Sequence, residues 1–220
     1  MVKIYYADTS AVKDASVFEQ LYEKINVQRR SKILRCKNKE DRYRSLVAGL
    51  LLRYVIEQEQ VRYEDANIVI GENGKPYIED VKFCFNISHS GDMVFCAVAD
   101  SEIGIDVEGI GRIERICADS KRMEHFLDRI ASEQEKEWFY NLPENEKKKG
   151  FLRIWTGKES YGKANGKGIA LDLRKVDVLN EKDYLFREIN KEYFVTVYME
   201  NISREECWFQ LIHIAKEYLK

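Results

Sequence analysis

The chain has 220 residues, of which 45% are hydrophobic and 34% are charged, yet its formal net charge at pH 7 is only −2. This length allows one large domain or two small ones with an ample core, and the balanced charge argues against a general attraction to nucleic acid or to anionic membranes. The five cysteines lie far apart and never in C-x-x-C spacing, so neither a disulfide framework nor a zinc site is expected. No hydrophobic leader and no apolar run of about 18 residues occurs, which predicts a soluble cytoplasmic protein.

Patterning in the first 60 residues predicts one strand and two helices. Residues 2–6 alternate well enough for a strand, and a polar-capped helix is expected from about 13 to 24. The stretch LVAGLLLRYVIEQ predicts a helix that is buried on most sides. Ahead of it, cations recur every three or four residues and form either one positive stripe or an ordinary solvated face: Arg29, Lys32, Arg35 and Lys39. Aromatic residues are not interleaved with this stripe, so nucleic acid is not indicated as its partner.

The segment NIVIGENGKPYIE predicts a hairpin of two short strands joined at Asn73-Gly74, the dipeptide suited to a type I′ turn. Lys75 and Pro76 follow at its tip. Because proline has a fixed φ and no N–H to donate, this tip offers an open backbone edge that a flat ligand could occupy. The alternative is a plain hairpin.

The next segment, FCFNISHSGDMVFCAVADSEIGIDVE, predicts three strands, with Ser88 to Gly91 forming the first turn between them. His89 is flanked by hydroxyls and a glycine. A serine, a histidine and exposed backbone amides at a strand end could hold a phosphate, although a histidine in a turn is more often only a surface residue.

Two carboxylates, Asp106 and Glu108, stand two residues apart in the third of these strands. Strand periodicity places both on one face, with Ile105 and Val107 on the other. Like charges this close on a half-buried strand repel each other unless a cation or protons intervene. Carboxylate oxygens suit magnesium, so this strand predicts a magnesium ligand pair, unless both acids simply face water.

A helical pattern extends from about residue 115 to 140, and a charged loop, PENEKKKG, leads into FLRIWTGKESYGKANG. If this last stretch is helical, Glu159 and Lys163 share a face, next to Lys158. A carboxylate beside an ammonium could bind a metal and a phosphate, or could be a solvated pair. The cluster of Asn165, Gly166 and Gly168 predicts the helix end. Strands are expected at roughly 175–179, 184–189, 193–199 and 207–214.

Both halves of the chain thus predict helices followed by antiparallel strands, with a change of character near 102–112. The phrases NGKPYIED and NGKGIALD occupy similar places in the two halves and hint at an internal duplication.

Four motifs, in order and spacing, together resemble the 4′-phosphopantetheinyl transferases of the surfactin-synthetase-activating (Sfp-like) type: GKP at 74–76, FNISHSG at 85–91, IGIDVE at 103–108 and W-x-x-KES-x-x-K at 155–163. The resemblance extends from about residue 29 to 175. It implies an α+β monomer that is a pseudo-two-fold duplication of two similar halves, here 1–102 and 103–220. Coenzyme A as co-substrate and Mg²⁺ would bind in the cleft between them.

The resemblance also implies a role for individual residues. The implied metal ligands are Asp106, Glu108 and Glu159. The implied coenzyme A contacts are Lys75 and Pro76 at the adenine, Ser88, His89 and Arg44 at the 3′-phosphate with Arg29 and Lys32 near the same end, and Lys158 and Lys163 at the other phosphates. The motif before Glu135 departs from the family pattern, being Ile130-Ala131-Ser132 here.

The implied reaction transfers 4′-phosphopantetheine to a serine of an apo acyl or peptidyl carrier protein and releases adenosine 3′,5′-bisphosphate, with Glu159 as base. Lys163 is our candidate for the general acid. Neither nucleic acid nor membrane is an expected partner. Two alternatives stay open: a magnesium-dependent nuclease or nucleotide hydrolase, and a non-catalytic module that binds coenzyme A or a carrier.

Overall fold

The structure is a computed structural model that describes residues 1–117, 119–166 and 171–219, without the side chains of residues 114–117 and 120. Its helices are α1 Ala15–Tyr22, α2 Val27–Arg35, α3 Lys39–Gln58, α4 Ile110–Cys117, α5 Ser120–Ile130, α6 Glu133–Tyr140, α7 Glu144–Ala164 and α8 Ile214–Tyr218. Its strands are β1 Val2–Asp8, β2 Ile68–Ile70, β3 Pro76–Ile78, β4 Cys84–Ser90, β5 Met93–Ala99, β6 Gly104–Gly109, β7 Tyr184–Ile189, β8 Tyr193–Tyr198 and β9 Cys207–Leu211.

Two sheets of the same design organise the fold. The first has the order β4-β5-β1-β9 and the second the order β6-β8-β7, while β2 and β3 form a separate hairpin. In each sheet a leading strand, β1 or β6, pairs antiparallel with the second strand of a later hairpin, and one long helix precedes that hairpin. The expected α+β class with two similar halves is confirmed. The strand β9 lies parallel to β1 and therefore belongs to the first sheet.

The long helix α3 packs against the first sheet, and the long helix α7 packs against the second. Helix α3 is buried along most of its length, as its dense apolar pattern predicts, and the Asn38 side chain caps it by accepting the N–H of Asp41. Helix α7 is longer than expected, because PENEKKKG is not a loop but includes its first turns. Pro143 precedes the helix and has no N–H to leave unsatisfied, while Glu144 and Glu146 favour the positive end of the helix dipole.

Several other predicted boundaries are wrong for local reasons. The helical pattern at 115–140 divides into α4, α5 and α6, because Asp119 and Ser132 each cap a new helix start with their side chains. Residues 175–179 form no strand and follow a short 3₁₀ turn at Leu173–Lys175. The strand expected to reach 214 ends at Leu211.

Two predicted turns also differ. The loop of the β2–β3 hairpin runs from Gly71 to Lys75, and Gly74 alone in it has a positive φ, at 84°, so the type I′ turn is wrong. Ser88 and His89 do not lie in a turn, since β4 continues to Ser90 and the chain turns at Gly91, where φ is 55°. The phrase NGKGIALD overlaps residues 167–170, which lie outside the described ranges, as does Gly168. Within those ranges no helix has the length and apolar character needed to cross a bilayer.

Candidate active site

The carboxylate-bearing strand β6 lies beside β4 where the two sheets meet. Asp106 and Glu108 point to the same side, as strand periodicity predicts. Two hydrogen bonds from β4 show this: Ser88 Oγ donates to Asp106 Oδ1 at 3.1 Å, and Ser90 Oγ donates to Glu108 Oε2 at 3.1 Å. Asp106 is buried, and its Oδ2 atom has no hydrogen-bond partner among the described residues. A buried carboxylate oxygen without a partner is unfavourable unless a cation or donor joins it.

Helix α7 lies directly against the start of β6. A Cβ on Gly104 would lie 1.9 Å from the carbonyl oxygen of Ser160, so only glycine permits this approach. The contact brings Lys163 to the strand, where its Nζ lies 2.5 Å from Asp106 Oδ1 and donates to Ser88 Oγ at 2.9 Å. The predicted one-face arrangement of Glu159 and Lys163 therefore places both beside the carboxylates of β6.

The negative charges of the carboxylates in this cluster are destabilised by burial and by one another. Partial burial raises the pKa of Glu159, the negative charges of Asp106 and Glu108 raise it further, and Lys163 opposes them. Burial and Asp106 likewise raise the pKa of Glu108. Arg112 and hydrogen bonds from Trp155 Nε1 and Ser90 counteract this shift. The cluster thus needs more positive charge than Lys163 provides.

The predicted metal ligands fit a hard divalent cation in chemistry but do not form a finished site. In the part of the chain that the structure describes, no group of three His, Cys, Asp or Glu side chains is arranged to hold a metal ion. Lys163 occupies Asp106 Oδ1 instead. Three carboxylates, one with an unpartnered buried oxygen, are a donor set suited to magnesium.

A groove lined by cations adjoins this cluster in the first half. A cavity of about 310 Å³ is lined by Arg29, Lys32, Pro76 and His89, among others. Partial burial lowers the pKa of Arg29 and of Lys32, and the charge of Arg29 lowers the pKa of Lys32 further. Burial, with the charges of Arg44 and Lys163, lowers the pKa of His89. Cations that repel one another in this way are stabilised by a bound anion.

The cationic groove continues to Lys163, which pairs with Asp106 of the carboxylate cluster. A second cavity of about 230 Å³ is lined by Lys163 and Gly166 and shares Pro76, Asn86 and Ile87 with the first. An elongated ligand with an anion at one end could therefore lie along the groove, with its other end beside Lys163. The Arg44 guanidinium lies at the edge of this path, donating to Gly91 O at 3.0 Å and pairing with Asp41.

The structure corrects two predicted phosphate contacts. Lys158 is fully buried on the other side of α7, where its Nζ lies 2.6 Å from Glu135 Oε2 and donates to the carbonyls of Leu173 and Val176. Ser88 is buried at the seam, where its hydroxyl donates to Asp106 and accepts from Lys163 and from the Val107 N–H. Helix packing and the continuation of β4, respectively, turn these side chains away from the groove.

Three further placements refine the sequence interpretation. The Lys75 side chain lies along Gly166 and its Nζ donates to Ala164 O at 2.7 Å, at the C-terminus of α7, where a positive charge is favourable. Glu135 forms a capping box with Ser132 and accepts the Val178 N–H at 2.9 Å. Sequence reasoning missed Asn86 and Ser90, although polar residues at alternate positions of β4 were a readable signal.

A carboxylate and lysine cluster at the end of a cationic groove is typical of enzymes that act on phosphate esters. Residues 102–208 match the 4′-phosphopantetheinyl transferase superfamily, and residues 13–101 match the family described as 4′-phosphopantetheinyl transferase, N-terminal. The chain belongs to this transferase superfamily, and it is an enzyme of that class.

Its relatives are similar over most of both sequences. The 4′-phosphopantetheinyl transferase gsp of Aneurinibacillus migulanus is 32% identical over 201 residues, covering 90% of this chain and 80% of the relative. The 4′-phosphopantetheinyl transferase Sfp of Bacillus subtilis (strain 168) is 33% identical over 189 residues, covering 83% of this chain and 78% of the relative. The family resemblance predicted from the four motifs is confirmed.

Proposed function

We propose that the protein transfers 4′-phosphopantetheine from coenzyme A to a serine of an apo acyl or peptidyl carrier protein, in a reaction that requires Mg²⁺ and releases adenosine 3′,5′-bisphosphate. The observation that carries the proposal is that the cationic groove extends to Lys163, which pairs with Asp106 of the carboxylate cluster, in a chain of this superfamily. A ligand with a terminal phosphate and an internal pyrophosphate matches both ends of that path.

In this proposal the 3′-phosphate of coenzyme A binds at the far end of the groove. Arg29, Lys32 and His89 line that end, and Arg44 adds positive charge to it. The adenine would lie against Pro76 and the Lys75 backbone, since both residues line the middle of the path while the Lys75 ammonium is bound to α7. The adenine and 3′-phosphate contacts thus come from the proposed first half, 1–102.

Asp106, Glu108 and Glu159 would hold the magnesium ion, and the proposed second half, 103–220, supplies them all. When bound, the ion offsets the charge of the pyrophosphate. With the ion bound, Lys163 would no longer be the only cation that offsets the charge of Asp106, and its ammonium could contact the phosphates. Its ammonium lies at the cluster end of the groove, as a general acid for the leaving oxygen requires.

In the transfer step the carrier serine oxygen forms a bond to the β-phosphorus of coenzyme A, and the bond from that phosphorus to the bridging oxygen breaks. The serine proton passes to Glu159, whose pKa the burial and the neighbouring carboxylates raise, and Lys163 supplies a proton to the departing adenosine 3′,5′-bisphosphate. A bound cation would lower the pKa of Glu159 again, so Glu159 would first orient the serine hydroxyl and would accept its proton late, as the bond to phosphorus forms in a loose transition state.

The test is intact-mass analysis of an apo carrier protein incubated with this protein, coenzyme A and Mg²⁺, with EDTA as the control. We expect a gain of one phosphopantetheine that EDTA abolishes. The variant Glu159→Gln should lose turnover and still bind coenzyme A. Near-normal turnover of that variant would refute the role of Glu159, and no gain with several carriers would refute the reaction. We also propose that the enzyme is cytoplasmic and monomeric, and size-exclusion chromatography with light scattering would check the monomer.

A further inference from the structure

Side chains, and not backbone carbonyls, join β6 to β4 at the seam between the two sheets. Asn86 Oδ1 accepts the N–H of Ile105 at 3.0 Å, Ser88 Oγ accepts that of Val107 at 3.2 Å, and Ser90 Oγ accepts that of Gly109 at 3.0 Å. Each acceptor precedes its donor by 19 residues, so the two strands run parallel in a fixed register. We call these three bonds the side-chain ladder.

The ladder satisfies amides that would otherwise be buried without a partner. β6 pairs with β8 along one edge, and alternate N–H groups of a strand point to opposite edges. Ile105 and Val107 are buried, so their outward amides require acceptors. Asn86, Ser88 and Ser90 are themselves buried and supply those acceptors from every second position of β4.

Two rungs of the ladder also hold the carboxylates. Ser88 accepts the N–H that follows Asp106 and donates its own proton to Asp106 Oδ1 at 3.1 Å. Ser90 does the same for Glu108, accepting the N–H of Gly109 and donating to Glu108 Oε2 at 3.1 Å. Each serine therefore fixes the backbone and the side chain of one carboxylate residue together. Asn86 makes only the backbone bond, to the N–H of Ile105, and the residue before that N–H is Gly104 and not a carboxylate.

We infer that Ser88 and Ser90 are positioning residues that set the orientation of the Asp106 and Glu108 carboxylates for cation binding. This inference rests on the proposed function for the identity of the cation. Each hydroxyl binds one oxygen of its carboxylate: Asp106 Oδ2 is left without a partner among the described residues, and Glu108 Oε1 accepts only Trp155 Nε1, at 3.3 Å. The ladder also transmits the position of the first sheet, which carries the cationic groove, to the strand that carries the carboxylates.

The experiment measures Mn²⁺ binding to the protein alone by electron paramagnetic resonance. We expect Ser90→Ala to weaken Mn²⁺ binding by about 10-fold or more, as loss of a partner behind a metal ligand does, and Ser90→Thr to retain wild-type affinity because the hydroxyl remains. The matched control is Thr9→Val, which removes a buried hydroxyl bonded to Asp92 at 3.0 Å and not to any of the three proposed metal ligands. It should lower the melting temperature and leave Mn²⁺ affinity unchanged. Wild-type affinity in folded Ser90→Ala would overturn the inference.

A measurement on the wild-type protein keeps the inference testable if Ser90→Ala does not fold. In native-state hydrogen exchange, the amides of Ile105, Val107 and Gly109 should exchange as slowly as those of Asp106 and Glu108, which face β8. Fast exchange at the first three would overturn the ladder. Slow exchange with no phosphopantetheine transfer to any carrier would instead refute the proposed function alone.

Discussion

Two of the lysines on helix α7, Lys158 and Lys163, are five residues apart in one motif and lie in opposite environments. Lys158 and Glu135 are both 0% exposed and form an ion pair behind the helix, which Leu173 O and Val176 O complete. Lys163 is 28% exposed and pairs with Asp106 at the seam, where three carboxylates gather around one ammonium. The rear pair is complete in charge and in hydrogen bonds, whereas the front cluster is not.

Within this one motif, Lys158 therefore has a structural role, whereas Lys163 remains able to interact with a ligand. A buried pair whose hydrogen bonds are all made has no remaining capacity to bind a ligand, and removing either partner leaves a buried charge. The front cluster keeps an unpartnered Asp106 oxygen and a partly accessible ammonium, so a ligand can improve it. The next two predictions test this contrast and a third extends it to the cationic groove, in order of decreasing expected effect.

Removing one partner of the rear pair should strongly destabilise the protein. We expect Glu135→Ala to lower the free energy of unfolding by about 3–5 kcal/mol, because Lys158 is left buried and unpaired. The double variant Glu135→Leu with Lys158→Met should recover only part of that loss: no charge remains, but the carbonyls of Leu173 and Val176 lose their donor. Urea denaturation measures both. A loss below about 1 kcal/mol for Glu135→Ala would show that water reaches Lys158 and that the pair is not closed.

Removing the front lysine should chiefly affect turnover. We expect Lys163→Met to reduce kcat by about 10²–10³-fold, the usual effect of deleting one group that stabilises developing charge. Its melting temperature should fall in the absence of Mg²⁺ and recover when Mg²⁺ is added, because the ion replaces the lost charge. The Glu135→Ala variant serves as the control, since Mg²⁺ should restore little of its stability. Lys163→Met with wild-type kcat would contradict the acid role.

The smallest expected effect lies in the cationic groove. Lys32→Ala should raise the KM for coenzyme A by about 10-fold with little change in kcat, because one of several charge-assisted contacts to the 3′-phosphate is lost. Dephospho-coenzyme A, which lacks that phosphate, provides the comparison: wild type should discriminate against it, and Lys32→Ala should discriminate less. Equal discrimination by the two proteins would place the 3′-phosphate elsewhere.

The sequence predicted the placement of side chains correctly where the periodicity of a strand or helix decides which face they occupy. Strand periodicity placed Asp106 and Glu108 on one face, and helical spacing placed Glu159 beside Lys163. Helix α3 and the α+β class also followed from pattern, because dense apolar runs and alternating strands are local properties, whereas the first turns of α7 were expected to be a loop. The four motifs then pointed to the family that the comparisons confirm.

The local sequence pattern could not predict the environments of Lys158 and Ser88. Lys158 adjoins Glu159 in the motif, and only the packing of Glu135, which is distant in sequence, shows that it lies on the closed side of α7. Ser88 was assigned to a turn because Gly91 follows it closely, whereas pairing with β5 carries the strand to Ser90. Long-range contacts override such local signals.

The parallel pairing of β9 with β1 has a consequence for synthesis. Val2 pairs with Cys207, so β1 gains its outer neighbour only after about 200 further residues have been translated. Until then the nascent first sheet has an open edge along β1, although β4 and β5 can already join it. This order places closure of the amino-terminal sheet late in folding and makes the β1 edge the segment most in need of protection during translation.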